Sequence, residues 1–130
     1  MSGAHRVIGL NHVNITFPDG RLREALAFYR DLLGLVEAPR PRGAERSGAW
    51  LWIDREAGLE LHLSGAGKAD GWPVRSGRHI GLLVADLGAT RTRLAEAGFE
   101  IEAARPLPNR ERFFVRDPFG NRVELLAWSA

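Results

Sequence analysis

Residues 12–19 read HVNITFPD and residues 79–86 read HIGLLVAD. Each stretch opens on histidine, runs through an extended apolar segment and stops on aspartate. The match continues downstream. After Pro18 and Asp19 comes GRLREALAFYRDLLG, with Leu22, Ala25, Leu26, Tyr29, Leu32 and Leu33 at helical spacing. That pattern predicts a helix capped by Asp19 and closed by Gly34. After Asp86 comes LGATRTRLAEAG, a shorter helix with Leu87, Leu94 and Ala95 inward and Gly98 at its end. Each helix is followed by an extended stretch, LVEAP or FEIEAARP, and then by two strands around a turn. The first pair is AWLWID and LELHLS around REAG; the second is RFFVRD and RVELLAW around PFGN. Proline and glycine stand in PFGN where a tight turn needs them. Each half therefore reads strand, helix, strand, strand, strand, and an internal repeat of this size implies duplicated, packed modules.

The fold class expected is α+β: two tandem βαβββ modules forming a cup-shaped mixed sheet with helices on its outer face. One domain spans 1–130, made of module 6–64 and module 77–128 joined by a glycine-rich linker, 65–76. GAGK within that linker lacks the spacing of a phosphate-binding loop, so it reads as linker or lid. A chain of 130 residues with 45% hydrophobic residues is long enough to bury one core. No stretch is apolar for the length of a membrane span, and MSGAHRVIG lacks the apolar run of a signal peptide. Cysteine is absent, which removes disulfides and thiolate chemistry and suits a cytoplasmic location. The net charge is +2 and the arginines are scattered without an aromatic-rich basic block, which argues against nucleic acid. A small anionic substrate suits such a chain.

Strands alternate faces, so each can be sorted into two. Val13, Ile15 and Phe17 share the face that would pack under the helices; His12, Asn14 and Thr16 share the other. Leu59, Leu61 and Leu63 oppose Glu60, His62 and Ser64. Ile80, Leu82 and Val84 oppose His79 and Gly81; Val123, Leu125 and Ala127 oppose Glu124 and Leu126. Matching GLEL with RVEL makes Glu60 the counterpart of Glu124, as His12 is of His79. If the polar face curls into a cup, those four ionisable groups converge. Burying even one unpaired carboxylate costs roughly several kcal/mol, so two together require a cation. Imidazole and carboxylate form a standard environment for a divalent transition metal, here Zn, Ni, Mn, Co or Fe. His62 lies on the same face, and it either replaces Glu60 as the fourth-strand ligand or supports the ligands from behind.

The chain resembles the vicinal oxygen chelate superfamily, which includes glyoxalase I, fosfomycin-resistance proteins, extradiol dioxygenases and bleomycin-resistance proteins. The resemblance rests on LNHVNI (10–15), LAFYRDLLGL (26–35), LELHL (59–63), RHIGLLV (78–84) and, most specifically, FFVRDPFGNRVELL (113–126). It implies paired βαβββ modules around one divalent metal, with His12, Glu60, His79 and Glu124 matching the ligands of the glyoxalase I type. The fosfomycin-resistance and dioxygenase types use the equivalents of His12, His79 and Glu124 alone. The chemistry implied is that of a glyoxalase-like lyase or isomerase. The metal stabilises an enediolate, and Glu60 or Glu124 acts as the base.

Asn14, Trp50, Trp52, His62 and Arg112 are the expected substrate contacts. Two alternatives accompany this reading. One is a dioxygenase with a three-ligand Fe(II) site. The other is a metal-free binder of bleomycin-type antibiotics, with Trp50 and Trp52 stacking on a planar ligand. A homodimer is expected, with each cup combining one chain's first module and its partner's second; the resemblance offers both this exchange and pairing within a chain, and the linker permits either.

Overall fold

A computed structural model describes residues 5–43, 47–66 and 71–129. The first module comprises β1 (His12–Phe17), α1 (Leu22–Leu26), β2 (Val36–Ala38), β3 (Gly48–Asp54) and β4 (Leu59–Gly65). The second comprises β5 (His79–Leu83), α2 (Leu87–Glu96), β6 (Glu102–Ala103), β7 (Arg110–Arg116) and β8 (Arg122–Trp128). The strands form two four-stranded sheets of identical topology, β1-β4-β3-β2 and β5-β8-β7-β6. In each, the first strand runs parallel to the last and the remaining pairs are antiparallel. This is the α+β tandem βαβββ arrangement expected from the repeat. β1 and β5 are each hydrogen-bonded to one neighbour, so each ends its sheet.

The alternation holds where it matters. Phe17, Leu51, Leu61, Val123 and Leu125 are completely buried, and they belong to one apolar cluster that draws on both modules. Residues predicted for the polar face of β1, His12 and Asn14, are exposed.

The first helix departs from the expected form. α1 continues directly into a π-helical stretch, Ala27–Leu32, in which Leu33 N–H reaches back to Phe28 O at 3.0 Å. The wider turn sets Phe28 beside Tyr29 in the core, with exposures of 1% and 0%. A regular 3.6-residue reading had placed only Tyr29 there. Asp19 is not the cap. Pro18–Arg21 forms a turn closed by Arg21 N–H to Pro18 O at 3.1 Å, and Arg21, without a side-chain cap bond, precedes the helix. Its module-2 counterpart behaves as expected, since Asp86 Oδ1 accepts from Ala89 N–H at 2.9 Å. Ala95 was expected inward and is exposed; Leu94 alone of that pair reaches the core.

The linker is also more structured than its composition suggests. Residues 67–70 lie outside the described residues, and Gly65 already belongs to β4. Beyond them, Val74 N–H donates to Phe119 O at 2.7 Å and Trp72 meets the Phe119 ring edge-on at 6.2 Å. The strap lies against the β7–β8 turn at Gly120, which has φ 92°. A Cβ there would stand 2.2 Å from Val74 O and 2.6 Å from Val74 N, both backbone atoms. Gly120→Ala is therefore expected to cost about 2 kcal/mol or more, combining left-handed strain with displacement of the strap. Urea unfolding of parent and variant measures it. A loss below about 0.5 kcal/mol, the range of ordinary surface substitutions, would mean that the strap yields freely.

No helix among the described residues is long and apolar enough to cross a membrane.

Candidate metal centre

Strand register brings the candidate side chains into two groups. In the first module β1 lies alongside β4 with His12 opposite Glu60, Asn14 opposite His62 and Thr16 opposite Ser64. β3 continues the rows, with Trp52 opposite Glu60 and Trp50 opposite His62. All these residues share the polar face. His62 is sandwiched: its ring centroid is 4.0 Å from Trp50 at 3° and 4.0 Å from His12 at 14°. Beside this stack, His62 Nε2 is 2.8 Å from Glu60 Oε1, with the two side chains 11% and 17% exposed. The carboxylate is an acceptor, so Nε2 carries the proton and donates. His12 Nδ1 bonds the Asn11 side-chain oxygen at 2.8 Å, which leaves its Nε2 as the free ring nitrogen. Ser64 Oγ donates to Asn14 Oδ1 at 2.7 Å, so Asn14 is fixed by the neighbouring strand.

In the second module His79 pairs with Arg122, Gly81 with Glu124 and Leu83 with Leu126. His79 Nδ1 donates to Gly77 O at 3.1 Å, so Nε2 presents a lone pair. That lone pair faces Glu124 Oε1 at 3.2 Å. Two acceptors thus confront one another, a contact that only a shared cation, metal ion or proton, makes favourable. Phe114 braces the His79 ring edge-on at 5.1 Å. Arg112 reaches Glu124 Oε1 through Nη1 at 3.4 Å and donates from Nη2 to Arg105 O at 2.8 Å.

Within one chain Asn14 and His79 line one cavity, but the candidate metal-binding donors do not converge. Among the described residues no three His, Asp or Glu side chains stand close enough to share an ion. The structure gathers His12, Glu60, His62, Asn14 and Trp50 on one sheet, and His79, Glu124 and Arg112 on the other. Trp52 lies on the first sheet beside the Arg55 guanidinium, 5.9 Å from its ring. Register also corrects the repeat. With His12 matched to His79, Glu60 falls on Arg122, and His62 is the counterpart of Glu124. Asn11, Gly77 and Phe114 orient the histidines and were not anticipated. Gly77 acts through its carbonyl and leaves no side-chain signal, whereas Phe114 could have been found by its alternation with Arg112 on β7.

The family model of the Glyoxalase/Bleomycin resistance protein/Dioxygenase superfamily matches residues 9–125. The chain belongs to this superfamily. It is 27% identical over 126 residues to Glyoxylase I 4 of Arabidopsis thaliana, covering 89% of this chain and 68% of that one. A glyoxalase family protein from Bacillus anthracis superposes with a TM-score of 0.80 at 28% identity, covering 95% of this chain and 97% of its own. A fosfomycin resistance protein, FosX, from Listeria monocytogenes shares the fold, with a TM-score of 0.75 at 19% identity, covering 95% of this chain and 94% of its own. That structure was solved as a mutant with Mn(II) and 1S,2S-dihydroxypropylphosphonic acid.

Proposed function

We propose that this superfamily member is a divalent-metal-dependent enzyme acting on a small, oxygen-bearing, anionic substrate, with glyoxalase-like lyase or isomerase chemistry. The observation that carries the reading is the His79–Glu124 contact, in which an imidazole lone pair and a carboxylate oxygen face each other at 3.2 Å. The donor set fits a metal of the Zn, Ni, Mn, Co or Fe type, since neutral imidazole and carboxylate are its ordinary ligands. His12, His79 and Glu124 would hold it. Because no three donors converge within one chain among the described residues, a complete cup would draw His12 from one chain and His79 with Glu124 from a second copy. Exposed apolar residues on the second sheet's polar face, Leu83 and Trp128 at 61% each, suit cover by that copy.

Bound there, a divalent ion supplies Lewis acidity to two adjacent oxygens of a substrate. The chain's own residues supply the rest. Glu124, held by Arg112 at 3.4 Å, would have to loosen from the ion to take a proton from a neighbouring C–H. A cavity of about 730 Å³ beside His79 is lined by Arg75, Arg78 and Arg122 and by no acidic residue, which favours an anionic substrate. The alternative of a metal-free aromatic binder is less well supported, because one face of Trp50 is already covered by His62.

Calorimetric titration of chelator-treated protein with Zn, Ni, Mn, Co and Fe(II) tests the reading. One ion per cup is expected, with binding abolished in His12→Ala/His79→Ala. Affinity should fall on acidification, because imidazole binds metal only when neutral. If every metal binds parent and double variant alike, the metalloenzyme reading is finished.

A further inference from the structure

We infer that Glu60 is a positioning residue that acts through His62, and that strand β4 contributes to the metal site through the imidazole, not through the Glu60 carboxylate. The inference rests on the metal reading above and narrows it.

Three observations support it. The first is register. Position 62 is related by the repeat to Glu124, whereas position 60 is related to Arg122, a cation paired with Glu102 at 3.1 Å. The second is the hydrogen bond. Glu60 Oε1 accepts from His62 Nε2 at 2.8 Å with both side chains largely shielded, so the carboxylate already has a strong partner. Holding the proton on Nε2 leaves Nδ1 as the lone-pair nitrogen of His62. A carboxylate behind an imidazole is the usual arrangement for fixing tautomer and ring plane at a metal site. The third is the stack. Trp50 lies flat on one face of His62 and His12 on the other, both at 4.0 Å. The plane that Glu60 fixes is therefore passed on to His12. Losing Glu60 would free His62 to turn and loosen the histidine resting on it.

This predicts dependence of one residue on the other, which metal affinity can read. Glu60→Gln keeps an oxygen that accepts from Nε2–H, so its affinity should remain within about threefold of the parent. Glu60→Ala removes the acceptor and should weaken binding roughly 10–100-fold, as loss of an outer-shell partner does. In a His62→Ala background the further change Glu60→Ala should have no added effect, because nothing remains for the carboxylate to orient. A second measurement needs no metal. In the apo protein the His12 ring protons should be shifted upfield by the stacked rings, and that shift should shrink in Glu60→Ala and in Trp50→Leu but persist in Glu60→Gln.

Glu60→Gln losing metal as completely as His12→Ala, or Glu60→Ala costing as much without His62 as with it, would overturn the inference by making Glu60 a direct ligand. Unchanged apo His12 shifts in Glu60→Ala would overturn the positioning chain. Metal binding that survives His12→Ala/His79→Ala instead overturns the metal reading itself, and the apo shifts still decide the positioning chain separately.

Discussion

Two variants that each fail to bind metal are expected to recover it when combined. His12→Ala damages only the first module, and His79→Ala/Glu124→Ala damages only the second. If each cup joins the first module of one chain to the second of its partner, a mixed dimer contains one cup with both halves damaged and one with both intact. Metal binding should return at about one ion per mixed dimer, from none in either parent variant, because the ligands must converge on a single ion. The physical basis is the separation of the donors. His12 and its stacked neighbours lie on the β1-β4-β3-β2 sheet, while His79 and Glu124 lie on β5-β8-β7-β6. Neither sheet alone brings three donors together among the described residues. β1 and β5 also end their sheets. Co-expression with two different affinity tags isolates the mixed species, and elemental analysis counts the ions. If verified mixed dimers hold no metal, each cup is built within a chain by a rearrangement of the two modules, and the exchanged assembly is wrong.

The sheets were legible because strand alternation has a period of two and each strand is covered on one side. Val13, Ile15 and Phe17 could be told from His12, Asn14 and Thr16 without knowing any partner strand. Register was harder. Sliding β4 by two residues against β1 leaves every side chain on its original face, so the pattern could not distinguish Glu60 from His62 as the counterpart of Glu124. Only the hydrogen-bonded pairing His12 to Glu60 and His79 to Arg122 resolves it. The helix misled for a related reason. A π-helical turn shifts the phase locally, so Phe28 enters the core at a position that regular helical spacing assigns elsewhere. Asp19 resembled a cap because it stands before a helix, but the chain makes a separate turn through Gly20 first, with φ 86°. Contacts between the modules had no sequence signal at all, and the tightest of them joins residues 88 positions apart.

That contact carries the largest stability effect expected outside the apolar core. Asp117, 4% exposed, accepts four hydrogen bonds. Phe119 N–H and Asn121 N–H donate to Oδ1 at 2.8 and 2.9 Å. Tyr29 O–H and Asn121 Nδ2 donate to Oδ2 at 2.6 and 2.8 Å. Asn121 Nδ2 also donates to Thr16 O on β1 at 2.9 Å, so the β7–β8 turn is tied to both the helix and the first strand of the other module. Asp117→Ala removes one acceptor group and leaves several buried donors without it. At about 1–3 kcal/mol for each donor left unpaired, with Asn121 keeping Thr16, the expected loss is about 4 kcal/mol. Tyr29→Phe removes only one donor from a carboxylate that keeps three, and should cost about 1–2 kcal/mol. Burial pushes the Asp117 carboxyl up despite its four donors, and burial first, then the Asp117 charge, pushes the Tyr29 phenol up well above its ordinary range. An acid whose folded-state value lies above its unfolded one is favoured by folding in its protonated form. Its contribution is fully present below the unfolded value and is lost as pH rises through the folded one. The stability gap between parent and Asp117→Asn should therefore be wider below the ordinary aspartate range than at neutral pH. Urea unfolding at both pH values measures this together with the two mutational costs. If Tyr29→Phe proved as damaging as Asp117→Ala, the tyrosine would be holding the modules together by packing, and the carboxylate would not be the hub.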